Sequence, residues 1–366
     1  MRNTIGNSFT FTLFGESHGK AIGGVLDGVP SGVAVDEAFI ASQMEKRKGI
    51  NSISTPRREA DEVKILSGVF EGRTTGTPVC LMIENADTKS KDYSLTKDIA
   101  RPGHADFTAE MRYNGFQDYR GGGHFSGRIT APIVAAGSLA LSMLKEKGIF
   151  IGTHISSCGD IKDRAFDNFR SDIEKLGELE MPVLCEKASS EMIEYIEKAR
   201  NEGDSVGGTL STAVIGMPAG VGEPWFDSVE GMLSHALFSI PGIKGVEFGK
   251  GFDFAFIKGS EANDAFRVEE GKVVTETNNN GGINGGITNG MPLEFTVAVK
   301  PTPSIYKKQN TVDFKKTEET TLEIKGRHDP AIIHRARVVV DSITALVLCD
   351  LLIMRFGTQF FGSDKK

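Results

Sequence analysis

Leu293-Glu294-Phe295-Thr296-Val297-Ala298-Val299 alternates large apolar side chains with polar or small ones. Successive side chains of a strand point to opposite faces, so Leu293, Phe295, Val297 and Val299 share one face and the other stays polar or small. Such alternation marks an antiparallel strand with one face on a core; strands of all-parallel sheets are covered on both faces and read as unbroken apolar runs. Residues 63–70, 79–84, 149–156, 209–215 and 246–257 read as further strands. Helical periodicity spans residues 36–48, 129–147, 189–202, 228–238 and 335–355, with stop signals such as Gly148. No regular strand-helix cadence links these runs, which counts against a doubly wound parallel sheet. The fold class expected is α+β, antiparallel sheets covered by helices.

The 366 residues, 39% of them hydrophobic, suffice for one large layered unit or two average domains. No Ser/Pro/Gln linker, low-complexity tract or repeat divides them, so one continuous domain over 1–366 is expected. Residues 1–10 carry one basic residue and no apolar segment, so no secretory leader is expected. The most apolar long run, 336–354, is interrupted by Arg337, Asp341 and Asp350 and reads as a buried helix rather than a membrane span. Cys80, Cys158, Cys185 and Cys349 lack CxxC or CxxH spacing and fit buried thiols of a reducing compartment, by default the cytoplasm. A net charge of -7 argues against a nucleic-acid partner, which calls for an extended positive face.

Chemistry concentrates in turns. Gly15-Glu16-Ser17-His18-Gly19, Gly103-His104-Ala105-Asp106 and Gly326-Arg327-His328-Asp329-Pro330 set histidines and carboxylates between residues that end helices and strands. Three histidines so placed are open to two readings, a shared acid-base site or separate hydrogen-bonding posts. His154, in a strand pattern, and His235 and His334, near helices, read as structural. Lys46, Arg47, Lys48, Arg57, Arg58, Arg101, Arg120, Arg128, Lys300, Arg327, Arg335 and Arg337 gather near the turns, where guanidinium forks would match phosphate or carboxylate. A small polyanion is the substrate expected. Arg120-Gly121-Gly122-Gly123-His124-Phe125-Ser126-Gly127-Arg128 leads into the helix near Ile129, as either an anion cradle or a tight helix start. Neither a Rossmann nor a Walker fingerprint is present.

Ordered motifs cover the chain to about residue 350: Phe14-Gly-Glu-Ser-His-Gly19, Arg57-Arg58-Glu59, Val63-Lys-Ile-Leu-Ser-Gly-Val-Phe-Glu-Gly72, Thr75-Gly-Thr77, Arg101-Pro-Gly-His-Ala-Asp106 and Asp118-Tyr-Arg-Gly-Gly-Gly123. Gly245-Val-Glu-Phe-Gly249, Lys300-Pro-Thr302 and Gly326-Arg-His-Asp-Pro330 follow. On these motifs the chain resembles the chorismate synthase family. The resemblance implies a β-α-β sandwich, a homotetramer, and a carbon-oxygen lyase of the shikimate pathway, which feeds aromatic amino acid biosynthesis. That lyase converts 5-enolpyruvylshikimate 3-phosphate to chorismate by anti-1,4-elimination of phosphate, with reduced FMN that is not consumed. Two carboxylates and a phosphate on that substrate would account for cations concentrated in an acidic chain. NADPH is a candidate reductant.

By the same resemblance, His18 protonates the departing phosphate, His104 donates a proton to the reduced flavin, Asp329 supports the flavin as base, and Ser17 and Ser126 relay protons. FMN contacts carried over are His124, Phe125, Ser126, Pro241, Gly242, Gly286, Lys300, Pro301, Thr302, Pro303, Ser304 and Arg327. Substrate contacts are Lys46, Arg47, Arg57, Arg101, Arg120 and Arg128. Two stretches depart from many family members: His124-Phe125-Ser126-Gly127-Arg128 stands for Arg-Ser-Ser-Ala-Arg, and Lys46-Arg47-Lys48-Gly49 for Arg-Arg-Pro-Gly. Two other classes meet obstacles in the sequence. A metal phosphohydrolase on His18, His104, His328 and Asp329 lacks ligand spacing, and an RNA-binding module on the triple-glycine segment lacks a basic face with stacking aromatics.

Overall fold

A computed structural model describes residues 3–50, 53–54, 61–85, 97–324 and 328–362. Leu293–Val299 is a strand whose burial alternates as its sequence does, with Leu293, Phe295, Val297 and Val299 all at most 3% exposed. It pairs antiparallel with Gly208–Ile215 on one side and Ile243–Phe248 on the other. Phe150–Cys158 and Ile161–Lys162 complete a five-stranded sheet. The other five-stranded sheet runs Thr4–Ile5, Thr10–Gly15, Ala21–Asp27, Val79–Glu84, Lys64–Ser67, again antiparallel throughout.

The helices are α1 (Glu37–Lys46), α2 (Asp106–Tyr113), α3 (Thr130–Glu146), α4 (Phe169–Glu178), α5 (Glu186–Asn201), α6 (Val229–Leu237), the short α7 (Gly259–Ala262) and α8 (Ile333–Phe356). Helix α3 packs on Ala21–Asp27 and Val79–Glu84, α8 packs on Phe150–Cys158 and Gly208–Ile215, and the two helices pack on each other. The layers are therefore sheet, helices, sheet, an α+β architecture in which the principal helices form the filling rather than the cover. Both helices are apolar nearly all round because both are enclosed on all sides. Their axes approach closely at Gly137, where a Cβ would lie 2.3 Å from Ser342 Cβ. The stretch Gly127–Glu146 is long and apolar enough to cross a membrane, and 78% of that window is buried inside the protein.

The charges that interrupt 336–354 are internal anchors. Asp341 accepts the Thr153 hydroxyl at 2.6 Å, and Asp350 accepts the backbone N–H groups of Asn7, Ser8 and Phe9 at 2.9, 2.7 and 2.8 Å. Each ties α8 to one of the two sheets, which an apolar side chain at those positions would not do. All four cysteines are free; Cys158 and Cys349 are buried, Cys80 and Cys185 half-buried.

The strand expected over 246–257 stops at Phe248, because Gly249 and Gly251 take positive φ and turn the chain into a 3-10 helix, Gly251–Phe256. Helices α2 and α4 lie outside the periodic runs: α2 is eight residues long and mostly polar, and α4 buries only Asp172, Ile173 and Leu176. Strands Thr10–Gly15 and Ala21–Asp27 were not among the expected runs; in the second, Gly23 and Gly24 stand where large apolar residues would mark a strand. There the rings of Phe14 and Phe11 fill the space.

Candidate active site

The site begins at the first sheet's end. The turn between Thr10–Gly15 and Ala21–Asp27 carries Ser17 and His18, 5% and 8% exposed. Ser17 N–H donates to Gly123 O at 3.1 Å, and the Ser17 hydroxyl sits 3.2 Å from both Arg120 O and Gly121 O and 2.9 Å from His18 Nδ1. A carbonyl can only accept, so a hydroxyl that donates to one accepts from His18 Nδ1–H.

The triple-glycine loop packs directly on this turn. Gly121, Gly122 and Gly123 all have positive φ, of 59°, 86° and 53°. A Cβ at Gly121 would lie 2.1 Å from His18 Cε1, and one at Gly122 would lie 3.3 Å from His104 Nε2 and 3.7 Å from Ser126 Cβ. Adjacent residues of one bare backbone thus touch both imidazoles, and side chains there would displace them. His104 Nδ1 lies 3.0 Å from Asp106 Oδ1. Burial alone would raise the Asp106 carboxyl, but hydrogen bonds from Arg101 and His104 hold it well below the usual carboxylate range. The loop runs into α3 as a tight helix start, with Ser126 Oγ capping Arg128 N–H at 3.3 Å and Ser126 O accepting Ile129 N–H at 3.0 Å. His124 Nδ1 donates to Gly15 O at 2.7 Å, strapping loop to strand, and Phe125 packs edge-on to Tyr113.

The arginines expected to meet an anion arrive with carboxylates of their own. Arg120 is bidentate on Asp118 at 2.8 and 2.7 Å, and Arg101 on Asp106 at 2.8 and 2.6 Å. Asp61 is shared: Arg47 Nη1 reaches one oxygen at 2.9 Å, Arg128 Nη1 pairs with the other, and all three side chains are 8% exposed. Arg335 pairs with Asp329 and also donates from Nε to Arg47 O at 2.8 Å. Each pairing holds a guanidinium in one orientation, and Arg47 is fixed further by Nε donating to Thr130 Oγ1 at 3.2 Å and Nη2 to Gly127 O at 3.4 Å. Lys46 turns toward α8; burial and Arg337 lower it to about 8, with Asp341 opposing. Asp61 and Asn85, which sequence reading passed over, are the joints of this network. An aspartate a few residues away made the Arg101/Asp106 and Asp118/Arg120 pairs readable, whereas Asp61 and Asn85 carry no such local signal for the arginines they meet.

A cleft opens beside His104. Pro102, Gly103, Asp204, Ser205, Lys300, Pro301, Thr302, Pro303, Ile305 and Gln309 line it. Lys300 Nζ donates to Gly103 O at 2.5 Å, and Lys300 N–H to Gly242 O at 2.9 Å, which brings Pro241-Gly242 alongside. Ser304 is buried at 8% exposure. Thr302 Oγ1, Gln309 Nε2 and, nearby, His328 Nε2 are buried polar atoms with no hydrogen-bond partner among the described residues. Burial and the Arg101 charge lower the His328 imidazole, with Asp329 opposing. Polar atoms left bare at a cleft with a lysine on its wall fit a ligand that carries both an anion and hydrogen-bonding edges, which is the donor set a flavin phosphate needs. Gly286 stands apart from the described contacts of the site, in a hairpin against Glu223 and Ser228 at the start of α6. Arg57 and Arg327 lie outside the described residues. Among the described residues no three His, Cys, Asp or Glu side chains converge as metal ligands would.

Two imidazoles on one glycine loop, arginines paired with aspartates, and a cleft with Lys300 on its wall meet at the edge of a helix-filled sandwich. The family model for chorismate synthase matches residues 9–353, and the chain belongs to the chorismate synthase family of lyases. It is 47% identical over 351 residues to the chorismate synthase of Thermococcus kodakarensis, covering 96% of this chain and 97% of that one. It is 47% identical over 356 residues to that of Methanosarcina barkeri, with 96% of both chains covered. A crystal structure of a chorismate synthase superposes with a TM-score of 0.76 at 30% identity, covering 96% of this chain and 94% of that one.

Proposed function

We propose that this protein converts 5-enolpyruvylshikimate 3-phosphate to chorismate by anti-1,4-elimination, in the shikimate pathway that feeds aromatic amino acid biosynthesis. A ring C–H bond and the C–O bond to phosphate break and a conjugated diene forms, with no net oxidation. One observation carries the reading: His18 and His104 stand at adjacent glycines of one loop, each oriented through Nδ1 by a different partner. An elimination that loses a proton from carbon and expels phosphate needs two such groups in different protonation roles.

Reduced FMN, when bound, supplies transient electron density to the allylic system, which no side chain here offers. Lys300, Pro301, Thr302, Pro303 and Ser304 would hold it with Pro241, Gly242 and the 124–126 segment; Gly286 and Arg327 complete the expected set. His18 holds a proton toward the departing phosphate. His104, kept upright by Asp106, holds one toward the flavin, and Ser17 and Ser126 pass protons between these groups and the loop. Asp329, fixed by Arg335, draws the substrate proton to that side. Arg47, Arg101, Arg120 and Arg128, with Lys46 and Arg57, screen the substrate's carboxylates and phosphate.

The chain acts as one domain, which a hydrophobic cluster running from Phe9 to Phe361 among the described residues supports. It assembles as a homotetramer, and the exposure of Trp225 and Phe226, 86% and 94%, supports a partner surface. Free cysteines suit the cytoplasm. No nucleic acid or membrane partner is invoked. The test is an anaerobic assay with 5-enolpyruvylshikimate 3-phosphate and FMN, comparing dithionite with NADPH as reductant. Chorismate forms with dithionite, and chelators leave the rate unchanged; turnover that survives flavin removal would overturn the cofactor assignment.

A further inference from the structure

Asn85 follows directly on the strand Val79–Glu84, and its backbone N–H donates to Lys20 O at 3.1 Å, so its position is set by the sheet. Its side chain reaches back over the turn that carries His18. Asn85 Nδ2 donates to Glu16 O at 3.1 Å and to Gly19 O at 3.0 Å, one bond to each side of Ser17-His18. Gly19 N–H also donates to Glu16 O at 3.0 Å, so the amide cross-braces a turn that is already closed. The opposite end of the same amide, Oδ1, accepts Arg128 Nε at 3.1 Å, and Arg128 is held by Asp61.

These contacts admit one orientation of the amide. A guanidinium can only donate and the carbonyls of Glu16 and Gly19 can only accept, so a flipped Asn85 would set oxygen against two oxygens and an NH2 against N–H donors. Arg128 thereby fixes which end of Asn85 faces the turn. We propose that Asn85 is a positioning residue for His18, locked by the Asp61–Arg128 pair so that the cation cluster and the imidazole keep one relative placement. Among the described hydrogen bonds none joins Asn85 to the imidazole; Asn85 sets the backbone from which His18 projects. A displacement of about 1 Å in a group that transfers a proton costs on the order of 100-fold in rate, whereas a brace that served stability alone would lower Tm and leave the turnover of folded molecules unchanged.

The inference rests on the proton-donor reading of His18, and the test separates the two. Asn85→Ala and Asn85→Asp are compared with His18→Ala and with the double variant His18→Ala/Asn85→Ala, reading turnover, KM, FMN affinity and Tm. Aspartate keeps the shape and still accepts from Arg128 but loses both donors to the turn. Both Asn85 variants are expected to lower kcat about tenfold or more with KM and FMN affinity within about threefold and Tm nearly unchanged, and Asn85→Ala is expected to cost at most about twofold once His18 is already alanine. Normal turnover in Asn85→Asp would overturn the proposal, because contact with Arg128 would then suffice. An equal loss from Asn85→Ala in both backgrounds would overturn it too, as would a loss that tracks a fallen Tm. Normal turnover in His18→Ala would remove the proton-donor reading first, and this inference with it.

Discussion

Two histidine-aspartate pairs in this molecule have the same chemistry and opposite settings. His104 and Asp106 meet at 3.0 Å with side chains 17% and 19% exposed, at the mouth of the cleft beside Gly122. His154 and Asp163 meet at 2.7 Å with side chains 2% and 0% exposed, under the ring of Phe166. Asp106 divides its oxygens among the imidazole, the Arg101 guanidinium and the Arg101 backbone N–H, the last at 2.9 Å. Asp163 accepts instead the backbone N–H groups of Leu184 and Cys185, at 2.7 and 2.9 Å, where the chain enters α5. The pair is the same device in both places, and what its carboxylate also holds decides its use. In one case that is a cation at a cleft; in the other it is the start of a helix.

The comparison breaks if mutation fails to separate the two settings. His18→Ala and His104→Ala are expected to lower turnover about 100- to 1,000-fold with Tm unchanged, the contribution of positioned acid-base groups. Near-normal turnover in either would return that histidine to the structural class. His154→Ala should do the reverse. It strips a buried carboxylate of its ring partner, at a cost of about 3–5 kcal/mol in denaturant unfolding, while turnover per folded molecule stays within about threefold.

What the sequence made legible follows from what it writes locally. Leu293–Val299 was readable because every second side chain meets the core, and 336–354 because its charges are spaced along one helix. The turns at 15–19 and 103–106 were readable because glycine beside histidine is a local signature. The middle placement of α3 and α8 came from the family resemblance, which implied a β-α-β sandwich, and not from periodicity, since an apolar helix buried under one sheet looks the same as one buried between two. The use of Asp61, 14 residues from Arg47 and 67 from Arg128, was not readable, because only folding brings the three together. His154 lacks the glycine-histidine signature: Thr153-His154-Ile155 lies in a strand pattern, and the pattern was the local clue to a structural histidine.

His334 extends the comparison to pH. It is 3% exposed at the start of α8, its Nε2 lies 2.7 Å from Ser54 Oγ, and burial, with Arg335 adding, lowers it to about 4. An unfolded chain carries this imidazole near its ordinary value of about 6.5, so between those values the unfolded state binds more protons than the native state. Stability is therefore full above about pH 6.5 and falls as pH drops toward 4, by about 3 kcal/mol over the window. Chemical denaturation of the protein and of His334→Gln across that range checks this, the variant losing the histidine's share of the slope. An unchanged slope in the variant would assign the acid sensitivity to other groups.

The smallest effect is expected at His124, the imidazole that only holds backbone. Its Nδ1 donates to Gly15 O at 2.7 Å, so the ring straps the glycine loop to the first sheet without a carboxylate partner. One neutral hydrogen bond contributes about 0.5–1.5 kcal/mol net, so His124→Ala should weaken FMN binding by no more than about tenfold. Gly123 is the control in the same loop. It has φ of 53° and ψ of -126°, and a Cβ there would lie 2.0 Å from Asp118 O, so Gly123→Val cannot keep the backbone path that sets Gly121 and Gly122 against His18 and His104. Flavin titration of the two variants is expected to place the valine loss well beyond the alanine loss. Equal losses would make His124 the anchor of the loop, and would mean that the site's geometry rests on a side chain where the comparison assigns it to bare backbone.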